Sequence, residues 1–361
     1  MRVSLPLPAG PRDDLADVAG IRIGHAAVEG GGSGCTVVLG PFRAAVEVAG
    51  HAAGSREFVT LDPAHVTTRA DAIVLTGGSA FGLAAADGVM SWLEERGHGH
   101  PTHAGVVPIV PTAVIHDLAE GRRRPGPREG RAACEAALRA ETPGAADGAD
   151  SAGSGAGIGA GIGATVGKLL GMAASMPGGL GSASVRQGAW TLGALAVVNA
   201  LGDVLGPDGN VVAGARPVPG APPVDALATL LQGPGAGAQS MPGGNSTLCV
   251  IGTDAPLTDA DLRRMLTLAA TALPRRITPV FTPFDGDVIF GVVSGPNAKG
   301  SPVPLPPAEL LLLGVAAREA LERAILRAVG FVPGDADGSS GGRLGPGASA
   351  SPPFDPAGPT T

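Results

Sequence analysis

The sequence predicts a mixed α/β fold, on three observations. Short apolar runs of strand length recur along the chain, over 35–39, 72–76, 191–198, 248–251 and 288–293. Longer segments with helical spacing stand between them, over 83–96, 129–141, 258–273 and 307–329. The chain has 361 residues, 44% apolar and 16% charged, which is enough to bury a large core.

Taken in order, residues 1–10 read as a loose tail. A first strand and turn follow over 18–24, then a strand over 35–39. The alternating segment 43–48 is placed to pair with it in a hairpin. The strand over 72–76 runs into Gly77-Gly-Ser-Ala-Phe-Gly82 and a helix that Gly97 ends. That turn lacks the full glycine order of a dinucleotide cradle and has no Lys behind it, so close backbone packing is its reading. His98, His100 and His103 sit in a loop with Gly99 and Pro101; without rigid elements to fix them they read as solvated, and no metal is expected.

Residues 119–155 are loop-like around one helix. The basic cluster Arg122-Arg123-Arg124, with Arg128 and Arg131, reads as a solvated face. Next comes the glycine run 151–168. Gly159 to Ala164 fits a dinucleotide pattern, but no strand precedes it. Gly167-Lys168 resembles the end of a phosphate loop, but Ile162 stands where Gly is required and Leu169 where Ser or Thr is. Both nucleotide motifs fail, and no cofactor is expected. A backbone able to pack closely remains, with Lys168 at its end. Asn199 closes the strand over 191–198, as a turn former or as an amide presented to a cleft. Residues 207–242 read as a linker with one helical piece over 224–231.

Pro242, Gly243 and Gly244 precede Asn245, Ser246 and an apolar strand. Ser246 thus stands where a loop becomes a strand, as a turn residue or as a nucleophile both held and reachable. Thr258 is placed to cap the helix over 258–273. Strands over 279–282 and 288–293 flank Pro283-Phe-Asp-Gly-Asp287, and Asp-Gly between strands signals a hairpin, so Asp285 and Asp287 read first as turn residues. Residues 333–361 are Gly-, Ser- and Pro-rich and read as disordered.

Composition bounds function further. A net charge of −7 argues against a nucleic-acid partner. The three cysteines, Cys35, Cys134 and Cys249, are odd in number and lack metal spacing, so they read as free thiols in a reducing compartment. No apolar run reaches membrane-spanning length and the N-terminus has no signal-peptide core. A cytoplasmic protein without a membrane partner is the expectation.

Several segments, in one order from about residue 14 to 330, together resemble a known family. They are Gly54-Ser-Arg-Glu57, Leu75-Thr-Gly-Gly-Ser-Ala-Phe-Gly-Leu83, Ala113-Val-Ile-His-Asp117, Ala132-Ala-Cys-Glu-Ala136, Gly167-Lys168, Asn199, Gly244-Asn-Ser-Thr-Leu248 with Thr253-Asp-Ala-Pro256, and Phe284-Asp-Gly-Asp287. The chain resembles the L-aminopeptidase/D-esterase (DmpA-like) hydrolases, which include β-peptidyl aminopeptidases and nylon-oligomer (6-aminohexanoate-oligomer) endohydrolases. The resemblance implies a four-layer αββα sandwich, layered like the N-terminal-nucleophile hydrolases but differently connected. It implies a single hydrolase domain over 11–332 that cuts itself between Asn245 and Ser246, giving an α chain over 1–245 and a β chain over 246–361. It also implies a homo-oligomer, a tetramer of α/β pairs, acting on a small peptide or amide.

By match to the nylon-oligomer branch, Lys168, Asn199, Asp285 and Asp287 complete the site around Ser246. Asn199 is expected to donate to the oxyanion, Lys168 to hold the Ser246 hydroxyl, and the two aspartates to orient the amine or Lys168. His116 stands where many relatives carry Tyr, and could contact the oxyanion or substrate; this chain has no Tyr. A second class stays open: an uncleaved, inactive relative that binds a small molecule or serves in assembly.

Overall fold

The computed structural model describes residues 7–140, 155, 157–218, 220–232, 244–295, 302 and 304–331. The expectations for 1–6, for most of the glycine run before 157, for 241–243 and for 333–361 lie outside the described residues. Eight principal strands are β1 Arg22–Ala27, β2 Gly34–Val48, β3 Arg69–Thr76, β4 Thr112–Val114, β5 Gly179–Gln187, β6 Trp190–Asn199, β7 Ser246–Thr253 and β8 Val288–Val293. Four principal helices are α1 Ala85–Glu94, α2 Pro127–Arg139, α3 Asp259–Ala269 and α4 Pro307–Ala328.

The strands hydrogen-bond into one sheet in the order β5-β6-β7-β8-β2-β3-β4, with the short strand Ser55–Arg56 beyond β4. The long strand β2 joins its two halves. Its first part pairs with β1 and its second with β8, while β3 runs along the other side. The register against β3 shifts between Leu39 and Phe42. Pro41 lies in that shift and has no N–H to give a ladder, so the irregularity absorbs it and the strand continues. The hairpin expected between 35–39 and 43–48 is therefore one bent strand.

Side chains alternate across this sheet and build three apolar layers. Cys35, Val37, Leu39, Ala72 and Val74 pack with Val89 and Trp92 of α1 and Ala133 and Ala137 of α2. Val38, Ile73, Leu75 and Ile115 meet Leu195, Val197, Leu248, Val250 and Phe290 in a layer between the two halves of the sheet. Ala194, Cys249, Ile251 and Ile289 face Leu262 and Met265 of α3 and the apolar stripe of α4, Leu313, Ala317, Ala320, Leu321 and Ala324. The stripe recurs at three and four residues, as a helix that buries one face requires. Helices thus cover both outer faces of a folded-over sheet, which is the αββα layering.

Local signals explain the helix ends. Thr258 Oγ1 accepts from Asp261 N at 3.0 Å, capping α3 as expected. Glu129 Oε2 accepts from Gly126 N at 2.9 Å before α2, with Pro127 in its first turn. The helix expected over 258–273 ends at Ala269, and a second short helix, Ala272–Arg276, follows.

Residues 7–10, expected in a loose tail, are tied to the fold. Pro8 O accepts from Arg186 N at 2.8 Å and Gly10 N donates to Ser184 Oγ at 3.2 Å. The hairpin expected around Asp285-Gly286-Asp287 is absent, since β8 pairs parallel to β7 and antiparallel to β2 and the segment 279–282 is not a strand. Both neighbours of β8 are filled by strands distant in sequence, so no hairpin partner is needed. His100–Thr102 pairs with Gly105–Val107 as an exposed ribbon, and no group of His, Cys, Asp or Glu among the described residues could hold a metal. The three cysteines are free and buried. Among the described residues no helix is long and apolar enough to cross a membrane.

Candidate active site

Three strand ends meet at one end of the sheet. Asn199 closes β6 and Ser246 opens β7, and the antiparallel ladder sets them directly opposite each other. Because β8 runs parallel to β7, the segment before β8 lies beside the segment before β7, and Asn245 bridges Asp285. The register alone therefore gathers Asn199, Asn245, Ser246 and Asp285-Gly286-Asp287, residues separated by up to 88 positions in sequence.

Lys168 arrives from a separate turn. Gly167 has φ +70 and donates its N–H to Gly202 O, while Lys168 N donates to Leu201 O at 2.9 Å. A Cβ on Gly167 would lie 2.0 Å from Ala215 N, so glycine is required both by conformation and by space. The turn thereby hooks onto the loop after β6 and sends the Lys168 side chain back along Asn199. Lys168 Nζ donates to Asn199 Oδ1 at 2.7 Å, to Asn199 O at 3.0 Å and to Gly244 O at 2.8 Å. Asn199 Oδ1 also accepts from Thr165 N at 3.0 Å, and Asn199 Nδ2 faces the carbonyls of His116 and Gly244 at 3.4 Å.

The Ser246 hydroxyl donates to the carbonyl oxygen of Asn245 at 2.5 Å. The same oxygen accepts from Gly286 N at 2.8 Å. Ser246 and Asn245 are buried, and Asn245 Oδ1 has no hydrogen-bond partner among the described residues. Asp287 Oδ1 accepts from Thr247 N at 2.6 Å and its Oδ2 from Phe281 N at 3.2 Å. Asp285 Oδ2 accepts from Thr282 N at 2.8 Å. The two carboxylates thus pin the loop 281–287 against the start of β7.

Burial dominates the electrostatics. It pushes the Lys168 ammonium down to about 7, against the pull of the Asp285 and Asp117 carboxylates. It pushes Asp287 up to about 7, with the Asp285 charge adding to it. Asp285 is also raised by burial, opposed by its hydrogen bonds to Thr282 and by the Lys168 charge. A lysine and a carboxyl each brought to about 7, with a second carboxyl raised by burial, beside one serine, suit proton transfer.

A cavity of about 360 Å³ opens on the Asn245 side, with His116, Leu118, Ile162, Lys168 and Met172 in its wall. Asp117, next to His116, is buried, with its carboxylate held by Ser33 Oγ at 2.7 Å and Gly78 N at 2.6 Å.

All the residues that the family resemblance points to lie in this one region. Lys168 is bonded to Asn199 and Gly244, and the Ser246 hydroxyl to Asn245. The Gly286 amide and the Gly244 carbonyl were not foreseen. Backbone groups have no residue-type signature, and the only cue in the sequence is the glycine set between two aspartates.

Comparison with known proteins identifies a family. Residues 13–334 match Peptidase family S58. An uncharacterised aminopeptidase of Mycobacterium tuberculosis is 41% identical over 341 residues, which cover 88% of this chain and 93% of that protein. The 6-aminohexanoate-oligomer endohydrolase of Paenarthrobacter ureafaciens is 29% identical over 355 residues, covering 90% and 92%. The solved L-aminopeptidase D-Ala-esterase/amidase of Ochrobactrum anthropi, described as a variant of the Ntn hydrolase fold, aligns with a TM-score of 0.62 at 18% identity, over 91% of this chain and 92% of that one. The match over most of the chain and the mycobacterial identity place the protein in Peptidase family S58, among the hydrolases of peptide and amide bonds.

Proposed function

We propose that the chain cuts itself between Asn245 and Ser246, and that the freed Ser246 is the nucleophile of an amide hydrolase. One observation carries the reading: the Ser246 hydroxyl and the Gly286 amide converge on the Asn245 carbonyl oxygen, at 2.5 and 2.8 Å. Ser246 Oγ attacks the Asn245 carbonyl carbon, and Gly286 N–H stabilises the oxygen as it gains charge. The C–N bond breaks, the hydroxyl proton passes to the Ser246 nitrogen, which leaves as an amine, and Asn245 remains as an ester on Oγ. Water hydrolyses that ester, leaving an Asn245 carboxylate and an N-terminal Ser246.

The α-amino group, with an ordinary pKa of about 7.7–8.0, then takes the hydroxyl proton and serves as general base. Attack on a substrate amide gives an acyl-Ser246 and releases the amine product, and water removes the acyl group. Asn199 and Lys168 hold each other and supply positive potential beside the reacting carbonyl. Asp285 helps balance the Lys168 charge, and Asp285 and Asp287 fix the loop that carries the Gly286 amide. Substrates are short peptides, amino-acid amides or esters, or linear ω-amino-acid oligomers, in keeping with the names of the relatives. A homo-oligomer of α/β pairs is our proposal for the working assembly, tested by light scattering of the processed protein.

The experiment is the intact mass of the purified chain after prolonged incubation, beside Ser246→Ala. Two fragments meeting at Asn245/Ser246, with the variant whole, is the expected result. A chain that stays whole in both overturns the self-processing reading and shifts weight to an unprocessed binding protein.

A further inference from the structure

The whole chain carries a picture of its own acyl subsite. The ester formed when Ser246 attacks Asn245 is an acyl-Ser246, the same kind of species that any amide substrate forms later. The positions of Asn245 and Gly244 therefore mark where the acyl part of a substrate lies, one and two residues before the bond that breaks. This argument rests on the proposed self-cleavage at Ser246.

The subsite is built for a neutral amide. Gly244 O, the carbonyl of the residue before the reacting one, accepts from Lys168 Nζ at 2.8 Å, with Asn199 Nδ2 at 3.4 Å. A free N-terminal residue would place its α-ammonium at the Asn245 nitrogen, one bond from the Gly244 carbonyl carbon, and so on the Lys168 side. The cavity that continues from there is lined by Lys168, Arg122 and His116 among walls of Leu118, Ile162 and Met172. Asp117, the one carboxylate among its described lining residues, already has one oxygen on Ser33 Oγ and the other on Gly78 N, while Arg122 is turned towards it through the Asp117 carbonyl at 2.9 Å. A substrate ammonium would meet the Arg122 guanidinium and two N–H donors, Lys168 Nζ and Asn199 Nδ2, with Asp117 engaged and Asp285 holding Thr282 N; an acylamino carbonyl would accept from those two donors.

We infer that the acyl subsite selects an N-acylated residue, the interior of a peptide or amide oligomer, over a residue with a free α-ammonium, so that the enzyme cuts within chains in preference to removing N-terminal residues. The apolar walls suit a methylene or small side-chain spacer beyond that first carbonyl, and the cavity of about 360 Å³ gives it room.

The test uses the processed wild-type protein and two ligand pairs that differ only at the nitrogen. N-acetyl-asparagine carries a carbonyl where Gly244 has one; asparagine carries an ammonium. Their binding is measured by calorimetry at pH 7, and the hydrolysis of their p-nitroanilides is followed in parallel. At least tenfold tighter binding of the acetylated acid, with a matching or larger advantage in kcat/KM where the anilides turn over, is the expected result. Equal binding, preference for the free amino acid, or no binding of either acid overturns the inference while leaving self-processing intact. A chain that never processes overturns both, and intact mass distinguishes that case before any ligand is added.

Discussion

The amide of Gly286 donates to the carbonyl oxygen of Asn245 at 2.8 Å, on the atom that takes up negative charge when the Ser246 hydroxyl attacks. The donor is fixed before any reaction, because Asp285 and Asp287 on either side are bonded to the amides of Thr282, Thr247 and Phe281. Preorganised donors of this kind are worth about 2.7–4 kcal/mol, or roughly 10²–10³ in rate. Replacing the 285–286 amide with an ester, by incorporating glycolic acid at position 286, removes the N–H and adds no side chain. Self-cleavage followed by intact mass should slow by about that factor, with the melting temperature shifted by only a few degrees. Cleavage at the wild-type rate would pass the role to Asn199. Gly286→Ala is the harsher change, since its Cβ would lie 2.8 Å from both Ser246 Oγ and Ala52 O.

His116 belongs to the other half of the cycle. It lines the cavity, and its backbone carbonyl faces Asn199. No described hydrogen bond links its ring to Asn245 or Ser246, so self-cleavage does not depend on it. His116→Phe should leave the fragment pattern and its rate within about twofold, and lower amide turnover by roughly tenfold through loss of one donor. Steady-state kinetics at limiting and saturating substrate decide this; unchanged values at both would remove His116 from the reaction.

The apolar runs and helical stripes were legible because burial imposes them: all eight residues of β7 are buried, and α4 repeats its small and apolar face over 22 residues. Pairing was less so. Nothing local says that 43–48 continues 35–39 through Gly40 and Pro41, or that β8 pairs parallel to β7 from a distant point in sequence. The aspartates 285 and 287 carry the composition of a hairpin turn, and their carboxylates do bond turn amides, yet the strand that follows pairs elsewhere. Side chains of the site could be named because the ordered motifs resemble a family. Their convergence depends on sheet register, Asn199 against Ser246 and Asn245 against Asp285, which no single segment encodes.

A buried ion-pair cluster supplies a prediction about stability alone. Glu322 of α4 is buried, and its carboxylate is gripped by Arg275 Nε and Arg276 Nη2, each at 2.5 Å, with Arg318 Nε at 3.5 Å. Removing one partner of a buried pair strands the others and typically costs about 3–5 kcal/mol. Arg275 and Arg318 are partly exposed and recover some hydration, so Glu322→Ala should fall near the lower end. Urea unfolding of the Ser246→Ala background, which keeps the chain whole, measures it. A loss under about 1 kcal/mol would mean that solvent already screens the cluster.

Lys168 gives a pH dependence whose sign is fixed by its burial. In the unfolded chain it keeps its proton up to about 10.5, and in the folded chain it releases it at about 7. Between these values the unfolded state binds the extra proton, so folding stability gains with rising pH, at up to about 1.4 kcal/mol per pH unit. Asp287 works in the opposite sense, but in a lower window, between the ordinary carboxyl value of 3.8 and about 7. Comparing Ser246→Ala with Ser246→Ala/Lys168→Met isolates the lysine, because pH-independent losses of its bonds to Asn199 and Gly244 cancel in the slope. The chain retaining Lys168 should gain stability relative to the Met variant as pH rises from about 7 to 9.5, by an amount on the order of a few kcal/mol. Parallel stability curves over that range would mean that Lys168 stays charged in the folded chain, with the Asp285 and Asp117 charges offsetting its burial.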